Sequence, residues 1–290
     1  MSAQRNPVVL IVGADGTIGE TLSAAWHSAG ARVIASTRRP PTSVDRVELD
    51  LSRPVSDLAL PPHVDVAYLL AAVTDLAACE RDPVGTARVN VEHTIELARR
   101  LVSRGAYVVF PSTNMVFDGS IAHRRTDDAV CPLAEYGQQK ARVEAALAEL
   151  GVAAAVLRLT KVVGPRTEPF ASWIQKLRRG EAIEAFSDKV CAPVTLAETA
   201  RILLGVGRGH HDGTFQASAA RDMTYVEAAI ALARRAGADV RQVKPVSAQD
   251  RGVTAVLRPR HTTLDTSRVQ AVLGWRPPEP EAALCEGLGL

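Results

Sequence analysis

The sequence predicts an α/β protein, a doubly wound parallel sheet with a smaller, discontinuous C-terminal domain. Three observations carry this. Val8-Val9-Leu10-Ile11-Val12 is an unbroken apolar run that stops at Gly13, the pattern of a strand covered on both faces. Beyond it, strand-length apolar runs alternate with helix-length segments as far as Leu159, which implies parallel strands joined by right-handed helical crossovers. Past Gly164 the alternation loosens.

The elements follow in order. Residues 17–28 read as a helix after the first glycine turn. Residues 32–36 read as the second strand, 46–49 as a short third and 64–70 as the fourth. A helix is expected at about 83–104, with Val89, His93, Leu97 and Leu101 along one side. Residues 106–110 make the fifth strand. Residues 132–150 are expected to form a helix opened by Pro132, where the missing N–H costs least. Residues 153–159 make the sixth strand. Farther on, 170–179, 196–204 and 225–236 read as helices, 213–217 as a strand, and Gly205, Gly207 and Gly209 as turn glycines. The main domain is expected over 1–165 with a return at about 188–217. The smaller one takes 166–187 and 218–290.

Composition narrows the class. The chain has 290 residues, 47% hydrophobic and 23% charged, with a formal charge of +2. A nucleic-acid binder needs a dense basic face, whereas here the basic residues are scattered, Arg38-Arg39 and Arg178-Arg179 being pairs. Cys79, Cys131, Cys191 and Cys285 have no metal-ligand spacing, and His210-His211 is an adjacent pair. Free thiols in a reducing cytoplasm are expected, with no metal. Residues 1–7 are short and polar, without a signal-peptide pattern. Apolar runs such as 66–73 fall short of the ~18 residues a membrane span needs. A cytoplasmic protein with a small-molecule ligand is expected, with no nucleic-acid or membrane partner. A homodimer is compatible with the sequence.

Gly13-Ala14-Asp15-Gly16-Thr17-Ile18-Gly19 follows the first strand and opens a helix with GxxGxxG spacing. Such a turn lets a backbone approach a pyrophosphate at a helix N-terminus, so a dinucleotide is the expected ligand. No acidic residue follows the second strand; Arg38 and Arg39 stand there instead. A guanidinium at that point suits a 2′-phosphate, which favours NADP(H) over NAD(H). Solvated loop charges are the alternative. Asp50 and Leu51, ending the third strand, are placed to touch adenine, although Asp is also a common turn former.

Tyr136-Gly137-Gln138-Gln139-Lys140 puts a phenol and an ammonium four residues apart, on one face of a helix. A nearby ammonium favours the phenolate, and a phenol can protonate a carbonyl oxygen as hydride reaches the carbon. Lys140 could also hold the nicotinamide ribose. Phe110-Pro111-Ser112-Thr113-Asn114 ends the fifth strand, at the sheet end where ligands collect. A hydroxyl there can bond the substrate carbonyl, or simply cap a turn.

Together these residues resemble the extended short-chain dehydrogenase/reductase family, with its Rossmann-type sheet and C-terminal substrate-binding domain. More narrowly, the chain is similar to the dTDP-4-dehydrorhamnose reductase group of sugar-nucleotide reductases. The likeness runs through Gly13 to Gly19, Ala71-Ala72-Val73-Thr74 with Glu80 and Pro83, and Val89-Asn90. It continues through Ser112-Thr113 with Val116-Phe117-Asp118-Gly119, Tyr136 with Lys140, and Asp188 with Ala192-Pro193. It ends in Leu264-Asp265-Thr266-Ser267-Arg268 and Leu273-Gly274-Trp275.

The resemblance implies that Thr113, Tyr136 and Lys140 are catalytic, with Asn90 supporting a proton-relay water. It implies a cofactor held by Gly13, Asp15, Gly16, Thr17, Ile18, Gly19, Arg38, Arg39, Asp50, Leu51, Ala71, Ala72 and Lys140. Thr74, Asn114, Met115, Lys161 and Arg258 would face the substrate, Arg258 reaching its diphosphate. The group usually has Ser-Thr-Asp-Tyr before Val-Phe, where this chain has Asn114 and Met115. It usually has a tryptophan after the sixth strand, where this chain has Lys161. In place of Arg-Pro-x-Asn-Ser, the run is Arg258-Pro259-Arg260-His261-Thr262. The changes fall in the implied substrate crevice and leave three readings. One is an NADPH-dependent reductase of a nucleotide-linked 4-keto-6-deoxy sugar or related carbonyl. A second is an epimerase or dehydratase retaining NAD. The third is a regulatory subunit, like the non-catalytic subunit of eukaryotic methionine adenosyltransferase.

Overall fold

The computed structural model describes residues 6–41 and 43–290, so the expected polar lead lies, for residues 1–5, outside the described residues. Strand β1 (Val8–Val12) feeds the glycine turn and helix α1 (Thr17–Ser28). Then come β2 (Arg32–Thr37), β3 (Arg46–Glu48), β4 (Val66–Leu69), α2 (Leu76–Arg81), α3 (Pro83–Ala87) and α4 (Thr94–Val102). Next are β5 (Tyr107–Thr113), α5 (Glu135–Ala148), β6 (Ala154–Leu159), β7 (Val162–Val163), α6 (Phe170–Arg178), β8 (Ile183–Phe186), β9 (Val190–Cys191) and β10 (Val194–Thr195). The chain continues with α7 (Leu196–Gly209), β11 (Gly213–Ala217), β12 (Met223–Thr224), α8 (Tyr225–Arg235), β13 (Val243–Val246), α9 (Ser267–Leu273) and α10 (Pro280–Gly287).

The chain divides into two compact units. The first takes the chain up to Val116, then Ala134–Arg158 and Ala200–Phe215. Its seven-stranded sheet has the order β11-β6-β5-β4-β1-β2-β3, and β1 pairs in parallel with both β2 and β4. This is the doubly wound Rossmann-type arrangement, with the order reversing beside β1. Leu10 and Val12 of β1 join Leu69, Phe110, Leu97, Leu101, Val143 and Leu147 in one core. Val9 and Ile11, on the opposite face, are equally buried. Burial on both faces explains why β1 reads as an unbroken apolar run.

Four local outcomes differ from the sequence expectation. Helix α5 begins at Glu135, not Pro132; its first N–H donates to the Glu80 carboxylate at 2.8 Å, so a distant side chain, and no proline, sets the start. Strand β5 extends three residues past 110 and carries Ser112 and Thr113 within it. The helix expected at 83–104 is composite: α3 and α4 are joined by a π-helical stretch at Arg88–His93. The wider turn lets the Thr94 hydroxyl donate to the carbonyl of Val89, five residues back, at 2.9 Å. It also shifts the buried face, so Asn90 and Thr94 precede Leu97 and Leu101 in the interior, while Val89 and His93 are half-buried.

The fourth difference concerns Gly205, Gly207 and Gly209, expected in a turn. They lie in α7, which runs to Gly209. A Cβ at Gly207 would collide with the Tyr68 hydroxyl, which donates to the Leu203 carbonyl at 2.9 Å. The glycine clears space for a ring and is no turn former.

The second unit takes Phe117–Leu133, Leu159–Thr199 and Gln216–Leu290. Residues 117–133, 159–165, 188–199 and 216–217, expected in the dinucleotide-binding domain, fall in this unit. The unit holds three two-stranded pairings, β10 with β7, β12 with β9 and β13 with β8, which the sequence reading does not anticipate. Strands this short carry no periodicity to read. Phe170, Trp173 and Tyr225 form the centre of its core with Leu177, Leu232 and Leu284. Among the described residues, no helix is long and apolar enough to cross a membrane.

Candidate active site

The glycine turn is built by backbone constraint. Gly13 holds φ +89°, and its N–H donates to the Ser36 hydroxyl at 2.8 Å, tying the turn to β2. A Cβ on Gly13 would lie 2.7 Å from the Ala71 nitrogen, and one on Gly19 would lie 2.7 Å from the Ala14 Cα. Both distances are too short for any side chain. Gly16 is the N-cap of α1 and offers no side-chain cap to the first turn of the helix, where the Glu20 N–H already donates to the Gly16 carbonyl at 2.9 Å. A positive helix end without a side-chain cap suits the diphosphate of a dinucleotide. Ala71 and Ala72, just after β4, are half-buried beside this turn.

Arg38 and Arg39 follow β2 and are exposed. Asp15 in the turn pairs with Arg46 of β3 at 3.0 Å. The Thr37 hydroxyl, then Arg46 and Arg39, hold the Asp15 carboxyl below its usual range. Asp50 accepts from the Ser52 N–H at 2.9 Å, a turn-forming bond. That bond, with a smaller pull from Arg38, lowers its pKa too. Arg39 thus acts on Asp15, and Arg38 on Asp50. Leu51 is buried in the core, and its carbonyl is 2.7 Å from His93 Nδ1. Ser36 and Arg46 escaped the sequence reading, because only the pairing of β2 with its neighbours brings them to the turn.

The second part of the site spans β5 and α5. Lys140 is buried on α5, and its ammonium donates to the Pro111 carbonyl at 2.9 Å. It lies 4.3 Å from the Phe110 ring centroid and 5.7 Å from that of Tyr136. One bond thus ties the YxxxK helix to the strand bearing Ser112 and Thr113. The Ser112 hydroxyl is buried without a hydrogen-bond partner, and the Thr113 hydroxyl accepts from the Met115 N–H at 3.2 Å. Asn114 and Met115 occupy the short turn after β5, half-buried, and Thr74 is exposed after β4.

Burial pushes the Tyr136 phenol up, with a smaller push from Cys79, and pulls Lys140 down to about 8 against the attraction of Glu144. The sequence reading expects the ammonium to lower the phenol. Here desolvation sets the direction instead, and the phenol holds its proton. A protonated phenol is the form that can donate to a carbonyl oxygen.

Asn90 lies in the π-helical stretch, where the widened turn directs it at two segments. Its oxygen accepts from the Val73 N–H at 2.7 Å, and its amide donates to the Val73 carbonyl at 2.9 Å and to Gln139 Oε1 at 2.8 Å. Gln139 in turn donates to Thr86 at 2.9 Å and Glu135 at 3.0 Å. Asn90 thereby orients α5 through the residue next to Lys140. Both its amide hydrogens are committed to protein groups. Gln139 was not singled out from sequence, although it lies inside the YxxxK stretch.

Lys161 and Arg258 lie in the second unit. The Arg258 guanidinium donates to the Val253 carbonyl at 2.9 Å and lies 3.5 Å from Asp188. Lys161 donates to the Glu168 carbonyl at 3.3 Å. Among the described residues, no cluster of three or more His, Cys, Asp or Glu could hold a metal.

The sequence matches the family described as the RmlD substrate binding domain over residues 7–288. The chain belongs to that family. It is the group of extended short-chain reductases that the motifs resemble. Among the relatives of this chain, a probable low-salt glycan biosynthesis reductase of Haloferax volcanii is 26% identical, the match covering 93% of this chain and 94% of that protein. Methionine adenosyltransferase 2 subunit beta of Bos taurus is 28% identical over 94% of this chain and 85% of its own. A dTDP-4-dehydrorhamnose reductase from Bacillus anthracis, solved in complex with NADP, superposes with a TM-score of 0.84 at 20% identity. That match covers 97% of this chain and 98% of the other.

Proposed function

We propose that this chain is a cytoplasmic, NADPH-dependent reductase of a carbonyl group on a nucleotide-linked deoxy sugar or a related compound. The carrying observation is the Lys140 to Pro111 bond, which holds the Tyr136 helix against the strand end bearing Thr113. When bound at the glycine turn, the nicotinamide cofactor supplies the hydride. Tyr136, kept protonated by burial, donates a proton to the carbonyl oxygen. Thr113 bonds that oxygen, Lys140 holds the ribose and the local charge, and Asn90 maintains the helix register. Arg38 and Arg39 favour the 2′-phosphate of NADPH. Thr74, Asn114, Met115, Lys161 and Arg258 contact the substrate.

The test is NADPH oxidation at 340 nm with dTDP-4-keto-6-deoxy sugars. Tyr136→Phe is expected to lower turnover by ~10²–10⁴-fold, the usual worth of a positioned acid; unchanged turnover overturns the assignment. A second reading, a cofactor-binding regulatory subunit, is favoured by the likeness to the bovine subunit across 94% of the chain. Co-purification with a partner enzyme, with no NADPH consumed on any keto-sugar nucleotide, would select it.

A further inference from the structure

We propose that Lys161 and Lys189 form an oxyanion subsite in the second unit, taking a carboxylate or phosphoryl group of the ligand. This deepens the reductase reading by naming the charge its ligand presents to these residues.

Two half-buried ammonium groups stand over one aromatic cluster. Lys161 Nζ is 5.8 Å from the Phe170 ring centroid, and Lys189 Nζ is 5.5 Å from that of Tyr225. The two ring centroids are themselves 5.6 Å apart. Both lysines are anchored through their backbones: Val194 donates to the Lys161 carbonyl and Tyr225 to the Lys189 carbonyl, each at 3.0 Å. Ring faces attract a cation but carry no net charge, so they do not neutralise the pair. Partial burial lowers the pKa of both ammonium groups, and Lys189 also feels the repulsion of Lys161.

Among the described residues, no carboxylate is ion-paired with either ammonium group. The Cys191 thiol is buried and pushed up to about 12, so it stays neutral. Asp188 is taken by Ser247, Ala248, Gln249 and Arg258. Asp222 is taken by Thr262, Thr263 and His261. Glu227 closes the capping box of α8 with Thr224, and Glu168 accepts from Ser172. Two like charges held partly out of water and paired with no carboxylate are unfavourable alone and favourable around an anion.

The test needs neither cofactor nor turnover, so it fails independently of the reductase reading. Thermal unfolding of the full chain is followed with inorganic pyrophosphate and, separately, with D-glucuronate, each against sodium chloride of equal ionic strength. A ligand preferring the native state raises its stability. At least one probe should raise Tm, and the one that acts identifies the phosphoryl or the carboxylate form. The apparent Kd should rise about tenfold in Lys161→Gln and in Lys189→Gln. It should recover in Lys161→Arg and stay unchanged in Lys244→Gln, an exposed lysine elsewhere. If neither probe exceeds chloride, or if the glutamine variants respond as the parent does, the subsite does not exist. Should one glutamine variant fail to fold, the other decides, because the glycine turn can also take pyrophosphate and only loss of a lysine locates the site.

Discussion

Removing Arg158 would expose how the first unit carries charge in its interior. Arg158 on β6 grips Glu144 on α5 with three bonds, Nε to Oε1 at 3.2 Å, Nε to Oε2 at 3.1 Å and Nη2 to Oε2 at 2.7 Å. Side-chain exposure is 5% for Arg158 and 8% for Glu144, so water screens neither charge. Glu144 is one turn beyond Lys140, which follows Tyr136 by another turn. Arg158→Met keeps an unbranched apolar chain of comparable reach but strands a buried carboxylate. Breaking a buried pair from one side costs about 3–5 kcal/mol, and a domain's whole stability is roughly 5–15 kcal/mol. The single variant should therefore lose a large share of its stability in urea unfolding at pH 7. Arg158→Met combined with Glu144→Leu should recover most of it, because both desolvation costs vanish together. If the single variant loses less than about 1 kcal/mol, or the double variant is no better than the single, the pair is not the buried electrostatic unit described.

Other outcomes follow from the same geometry. Lys140 is depressed from 10.5 to about 8 by burial, so between those values the unfolded chain binds the extra proton, and stability should rise with pH through that window. Loss of the ammonium should also make turnover fall above about pH 8. Glu144→Gln, which removes the supporting charge, should shift that limb to lower pH; an unmoved limb in a pH–rate profile contradicts the link. Gly207→Ala should destabilise by ~1–3 kcal/mol, since the methyl displaces Tyr68 in a packed interior. An unchanged urea midpoint would show that α7 yields instead.

Much of the framework could be read from residue order because its signals are local. Residues 17–28 and 213–217 read from the sequence with the bounds they have in the structure, the first opened by the glycine turn. Tyr136 and Lys140 were legible because one helical repeat separates them. What escaped depends on distant partners. The start of α5 is set by Glu80, the continuation of α7 by Tyr68, and the glycine turn by Ser36. The π-helical stretch leaves no trace in a 3.6-residue pattern except a face that drifts, from Val89 to Asn90. The Glu144–Arg158 pair looks from sequence like two solvated charges, since nothing local tells that α5 covers β6. Likewise the fall of Lys140 toward neutrality follows from enclosure, which spacing does not encode.

The outer margin of the main sheet has a consequence of its own. An uncovered strand edge invites another polypeptide to add itself by backbone pairing, and this begins aggregation. Here the last strand in the order is β3, only Arg46, Val47 and Glu48. Two of its three side chains are ionic, Arg46 bound to Asp15 and Glu48 to Arg53. So brief and charged a border gives an incoming chain too few amides to grip, and the sheet can end in water without recruiting neighbours.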